Sequence, residues 1–250
     1  MDMGSEGLNA VGNYRALVAG ATGLVGSELI RQLIADEQYG SVTAIARQER
    51  PEGIDDPAGK LTWIKANWEH LEREIDGLQV DVVFSALGTT IKKAGSREAF
   101  RQVDLVYPVK LADWAARNKV KQFHSISSIG AVEKSLFFYS RIKGEMEAAL
   151  QASHIPSIHL YRPSLLLGNR TEHRRGEEWA AALSRRMGFL WRGPLSRYRP
   201  IHASEVARAV RKSAASAFGQ QAEAVYIYES HQMIAMGAAR SKGEGTTDAN

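Results

Sequence analysis

No cysteine occurs among the 250 residues. Disulfides, thiolate zinc sites and cysteine nucleophiles are thereby excluded. No apolar run approaches the roughly 18 residues that a membrane-spanning helix needs. The opening residues, MDMGSEGLNAVGNYR, carry neither the basic start nor the apolar stretch of a secretory signal. These absences lead to the expectation of a cytoplasmic protein with no membrane partner. The histidines form no H-E-x-x-H, and His154 and His159, which flank Pro156 with His159 inside a strand, make a poor metal pair. No metal site is expected. No G-x-x-x-x-G-K-[ST] is present, which excludes a P-loop NTPase. Neither sign of charge dominates: 32 Lys and Arg stand against 28 Asp and Glu, a net +4. The densest basic cluster, Arg170, Arg174, Arg175, Arg185 and Arg186, is broken by Glu172, Glu177 and Glu178. It reads as a mixed-charge surface, and no nucleic-acid partner is expected.

What is present is core material in a regular order. Hydrophobic residues make up 44% of the chain, enough for one large domain or a domain with a small lobe. Apolar runs at 15–20, 41–47, 61–66, 80–87, 120–128, 157–164 and 224–230 read as strands. Helical stripes lie at 26–37, 100–119, 139–153, 176–190 and 202–216, the last capped at Ser204 or His202. Strands alternating with helices predict an α/β fold with a doubly wound parallel sheet, helices on both faces. Residues 1–13 read as a flexible leader and 237–250 as a disordered tail. The domain spans 14–236, with a small substrate region near 165–204. Trp114 and Trp179, at apolar helical spacing, read as core or interface.

The segment LVAGATGLVGSEL places Gly20, Gly23 and Gly26 between the first strand and the first helix. In a doubly wound fold that turn meets the ligand. It must be tight, and its backbone must approach a pyrophosphate while the helix N-terminus presents free N–H groups. Gly20, Ala21, Thr22, Gly23, Leu24, Val25 and Gly26 are therefore read as a dinucleotide-binding turn. The second strand ends on Arg47, where a cofactor with a free ribose 2′-hydroxyl usually meets an acid. A guanidinium there suits a 2′-phosphate, so NADP(H) is expected and NAD(H) is the alternative, with Arg50 in reach to assist. FFYSRIKGE carries Tyr139 and Lys143 on one helix face. A lysine ammonium beneath a tyrosine hydroxyl lowers its pKa from about 10 and fits it to exchange a proton. A serine at the end of the preceding strand would reach the same substrate oxygen; Ser128 is the choice and Ser127 the alternative.

GATGLVG, the strand-end serine and Tyr-x-x-x-Lys resemble the short-chain dehydrogenase/reductases. SALGTTIKKAGSREAFRQVD, FYSRIKGEME, LYRPSLLLGNR and RPIHASEVARAV are similar to the atypical group related to the Tat-interacting oxidoreductase-like proteins. The resemblance implies that Ser128, Tyr139 and Lys143 are catalytic and that Lys143 also holds the nicotinamide ribose. It further implies that Asn67 touches the adenine, that Ala86, Leu87 and Gly88 pass the middle of the cofactor, and that Ser127 also contacts it. Arg162, Pro163 and Ser164 would pass the nicotinamide, with Leu165 against its ring. Where the family's tetrad has an asparagine this chain has Asp104, to which no catalytic role is assigned. Arg170, Arg174 and Arg197 could meet an anionic substrate.

The function expected is an NADP(H)-dependent oxidoreductase acting on a carbonyl or alcohol of a small molecule. A non-catalytic NADP(H)-sensing regulatory protein is the alternative. A nucleotide-sugar epimerase or dehydratase is a third, against which the lean C-terminal region speaks. A homodimer is expected by analogy only.

Overall fold

The computed structural model describes residues 13–168, 193–218 and 223–238 of the chain. The expected leader up to residue 12, the helix of 176–190 with Trp179, and the tail beyond Ala238 lie outside these residues, as do Arg170 and Arg174.

Seven parallel strands form the sheet. They are β1 (Tyr14–Ala19), β2 (Tyr39–Ala46), β3 (Leu61–Lys65), β4 (Val82–Ser85), β5 (Gln122–Ile126), β6 (Ser157–Arg162) and a final edge strand, β9 (Ala224–Glu229). Their order across the sheet is β3-β2-β1-β4-β5-β6-β9. The first strand sits centrally, paired with β2 on one side and β4 on the other. The order reverses at this point, so a crevice opens above the carboxyl ends of β1 and β4.

The continuous apolar runs follow from cover on both faces. Side chains alternate along a strand. Ala16 and Val18 face a core shared with Leu29, Ile30 and Leu33 of α1 (Leu24–Ile34) and Val206 and Val210 of α7 (Ala203–Ala217). Leu17 and Ala19 face the opposite core, shared with Leu111 of α5 (Tyr107–Arg117) and Met146 and Leu150 of α6 (Phe138–Gln151). Trp114 belongs to this second core at 3% exposure. Each face buries a complete apolar layer, and the doubly wound fold read from the sequence is the one observed.

Local structure departs from expectation in three places. The single helix expected over 100–119 is in pieces. One-turn segments α2 (Leu71–Glu74) and α3 (Ile91–Ala94) precede α4 (Arg97–Arg101), which runs through a π turn at Gln102–Val106 into α5. The Tyr107 N–H reaches back to the Gln102 carbonyl, five residues earlier. Pro108 explains this: it has no N–H, and its ring crowds the carbonyl four residues back, that of Asp104. Second, β7 (Leu166–Leu167) and β8 (Ile201–His202) form a small parallel ladder of their own. Third, a helix, α8 (Ser230–Ala238), follows β9 and includes Gly237, the expected start of the tail. His202 is the N-cap of α7, and its N–H donates to the Glu205 carboxylate at 3.0 Å.

Candidate functional site

The glycine turn is built by close approach. Gly20 has φ +82°, a left-handed conformation that favours glycine. A Cβ on it would lie 2.5 Å from the Ala86 carbonyl oxygen, because the end of β4 crosses directly over the turn. A Cβ on Gly26 would lie 2.2 Å from the Gly20 carbonyl oxygen, so the first turn of α1 seats on the loop only with glycine there. Gly23 is the N-cap of α1, with no side-chain cap on the first N–H groups and no acid in the first turn. The positive end of the helix dipole therefore faces the crevice unopposed.

Two cavities meet at this turn. One, about 120 Å³, is lined by Gly20, Thr22, Gly23, Arg47 and Trp68 and by Ala86 to Thr89 after β4, with Lys93 and Tyr107 beyond. The other, about 430 Å³, shares Gly23 and Ala86 to Thr89 and continues to Leu24, Val25, Asp104, Ser127, Tyr139 and Lys143. Together they make one elongated cleft with its waist at Gly23 and the β4 loop. Among the described residues no carboxylate lines the first cavity, while Arg47 and Lys93 both do. A dinucleotide fits this layout: the turn at the pyrophosphate, a cationic end, and a chemical end.

At the chemical end Tyr139 stands on the first turn of α6, 39% exposed, its ring 5.5 Å from that of Phe100. Lys143 lies one turn below and is buried. Its ammonium is 2.7 Å from Asp104 Oδ1 and 3.4 Å from the Ile126 carbonyl. The Asp104 contact is a close ion pair whose angle falls outside hydrogen-bond geometry. The other oxygen of Asp104 accepts the Thr89 N–H at 2.9 Å. Asp104 thus ties the lysine to the β4 loop, a role the sequence left unassigned. The cue was present: an acid four residues before a helical proline, where the π turn swings the side chain inward.

Ser127 and Ser128 are both buried, and the hydroxyl of each lacks a partner among the described residues. Ser127 lines the chemical cavity and Ser128 does not. The Ser127 N–H still bonds the Tyr161 carbonyl at 2.7 Å, so the strand persists to this residue and the two serines project to opposite sides. The same parity places Leu166 in the cavity, with Leu165 exposed. Gly144, one residue past Lys143, admits the loop after Ser128: a Cβ there would meet the Glu133 nitrogen at 2.2 Å.

Other expected contacts lie elsewhere. Ala21 is in the core, and Gly26 sits beneath the turn. Asn67 is exposed and caps a short 3-10 turn, its Oδ1 accepting the Glu69 N–H at 3.0 Å, while the neighbouring Trp68 lines the cleft. Trp68 stacks on Tyr107 at 5.4 Å. Arg50 donates to the Ile54 carbonyl at 2.8 Å. Arg162 is committed to Glu147 of α6 through a two-pronged ion pair, and Glu147 is buried behind the site. The Pro163 carbonyl accepts the Ile129 N–H at 2.9 Å, and the Ser164 N–H donates to Ser230 Oγ at 2.8 Å. Residues 162–164 brace the serine loop and line neither cavity. Arg197 packs over the Tyr198 ring. Among the described residues no cluster of three His, Asp or Glu could hold a metal ion, and no helix is long and apolar enough to cross a membrane.

The chain matches a family model described as NAD(P)H-binding over residues 20–181. It is 31% identical to protein HTATIP2 of Rattus norvegicus over 180 residues, covering 68% of this chain and 69% of that one. It is also 31% identical to the mitochondrial protein FMP52 of Debaryomyces hansenii over 196 residues, covering 77% and 84%. Among solved structures, WbmG of Bordetella bronchiseptica in complex with NAD superposes with a TM-score of 0.62 at 16% identity, covering 89% of this chain and 74% of that one. The UDP-glucuronic acid 4-epimerase of Bacillus cereus in complex with NAD gives 0.59 at 17% identity, covering 86% and 77%. At such identities the likeness shows the fold. The expected cytoplasmic setting does not stand, since the FMP52 relatives of Debaryomyces hansenii and Candida albicans are named mitochondrial. The opening residues and the absence of a long apolar run carry no organelle address.

Proposed function

Because the chain belongs to the NAD(P)H-binding family, as an atypical short-chain dehydrogenase/reductase akin to HTATIP2 and FMP52, we propose that it is an NADP(H)-dependent oxidoreductase acting on the carbonyl or alcohol of a small molecule. The observation that carries this reading is one cavity lined by Ser127, Tyr139 and Lys143 and continuous with the glycine turn. A bound nicotinamide would supply the hydride donor or acceptor for the substrate carbon.

The protein's own groups handle the oxygen and its proton. Tyr139, at the exposed lip of the cavity, gives a proton to the substrate oxygen in reduction and takes one in oxidation. Lys143 supports it from one helical turn below, where Asp104 and the Ile126 carbonyl fix the ammonium. The Ser127 hydroxyl, buried and without a partner among the described residues, donates a second hydrogen bond to the same oxygen. At the far end Arg47, which makes no ion pair with a described residue, would hold the adenosine 2′-phosphate.

A fluorescence titration with NADPH and NADH tests the cofactor assignment. The native chain is expected to bind NADPH more tightly. Arg47→Asp should weaken NADPH binding by at least about tenfold, the scale of a lost charge-assisted contact, and leave NADH binding as it was. An Arg47→Asp variant with unchanged NADPH affinity would refute the assignment.

A further inference from the structure

We infer that Lys93 is a second specificity residue for the phosphorylated cofactor, facing Arg47 across the adenosine end of the cleft. The inference rests on the dinucleotide reading above and adds a residue to it.

Three observations carry it. First, among the described residues Arg47 and Lys93 are the charged ones lining that cavity, and no acid accompanies them. Neither side chain makes an ion pair or hydrogen bond with a described residue. Two like charges directed into one small cleft repel each other unless an anion lies between them. Second, the lysine is held in place by its backbone. The Thr89 N–H is anchored on buried Asp104 at 2.9 Å, and Thr90 Oγ1 accepts the Lys93 N–H at 3.1 Å. Gly95, at φ +82°, ends the turn, and Ser96 caps the next helix. The single turn of α3 is thus fastened at both ends, and Lys93 projects from a built support.

Third, the two cavities locate the charge along the cleft. The residues common to both, Gly23 and Ala86 to Thr89, mark the waist at the glycine turn, where a pyrophosphate crosses. Arg47 follows the end of β2, where the adenosine ribose of a dinucleotide lies in a doubly wound fold. Arg47 and Lys93 line only the adenosine side. The anion they share is therefore a phosphate monoester beyond the pyrophosphate, on the adenosine ribose. In the sequence, Lys92-Lys93 has the look of an ordinary solvated charge pair; only the fold separates the two.

The test is a titration of the full chain and of Lys93→Gln with NADPH, NADH and adenosine 2′,5′-bisphosphate. Lys93 is exposed on a one-turn helix, so the variant is expected to keep the native melting temperature, which a thermal scan verifies. Lys93→Gln should weaken NADPH and the bisphosphate by about tenfold and change NADH by less than about twofold. Equal losses for NADPH and NADH would put the lysine at the pyrophosphate and overturn the inference. So would no loss for any ligand. If the native chain bound neither dinucleotide, the cofactor reading itself would fall and Lys93 with it. Tight NADPH binding that is indifferent to Lys93→Gln refutes the lysine alone.

Discussion

His124 and His159 lie side by side on β5 and β6, their rings stacked 4.2 Å apart at 12°. Both are 1% exposed. His124 Nδ1 is 2.9 Å from the Tyr161 hydroxyl and Nε2 is 3.0 Å from Gln122 Oε1. His159 Nε2 is 2.8 Å from Ser157 Oγ and Nδ1 is 3.2 Å from the Tyr228 hydroxyl. Every ring nitrogen has a neutral partner, so nothing compensates a proton added to either ring. Burial lowers His159 to about 4. Burial, and then the neighbouring His159, push His124 well below its ordinary value. An unfolded histidine titrates near 6.5. Below that pH the unfolded chain binds protons that the folded chain refuses. Stability is therefore full above about pH 6.5 and declines as the pH falls toward 4. For His159 alone the loss is about 2 kcal/mol between pH 7 and pH 5, rising to about 3 kcal/mol near pH 4. His124 adds in the same direction. Urea unfolding followed by tryptophan fluorescence at pH 7, 6 and 5 measures the trend. His159→Phe keeps an aromatic face in the stack and cannot titrate. Its drop in stability from pH 7 to pH 5, whatever its value at pH 7, should be smaller than that of the native chain by about 2 kcal/mol. An equal drop in both proteins would mean that His159 binds its proton as readily folded as unfolded, and would refute the reasoning.

Two further predictions concern the buried ion pairs. Asp104→Leu strands the Lys143 ammonium, 4% exposed, and should cost about 3–5 kcal/mol. Adding Lys143→Met should restore most of that stability, and a double variant as unstable as the single one in urea would contradict the pairing. Arg162→Leu strands Glu147, whose side chain is 3% exposed, and should destabilise by about 3 kcal/mol while the folded protein keeps its NADPH affinity. Lost affinity at native stability, measured by melting and titration on one sample, would make Arg162 a cofactor contact after all.

The parts of this protein that were legible in its sequence are those set by local pattern. Continuous apolar strands betray a sheet covered on both faces, and three glycines after such a strand betray a turn that something must approach closely. Gly20 and Gly26 are glycines for the reason that reading supposed, namely backbone contacts where a Cβ would collide. What was not legible depends on parity or on distant partners. Between Ser127 and Ser128, or Leu165 and Leu166, one residue of register decides which side chain enters the cavity. Composition cannot reveal that register when both neighbours are alike. Arg162 looked like a cofactor contact because nothing local announces Glu147 as its partner. Asp104 looked like a defect in a motif until the π turn before Pro108 brought its carboxylate to Lys143.

The measurement that tests the central claim most directly is NADPH consumption at 340 nm against a panel of aldehydes and ketones, with the native chain and Tyr139→Phe side by side. The account predicts that the native chain oxidises NADPH with at least one carbonyl. Tyr139→Phe should lower that rate by about 10²–10⁴-fold while binding NADPH as before. A Tyr139→Phe variant that turns over the same carbonyl at the native rate would contradict the account, because the proton would then come from somewhere other than Tyr139.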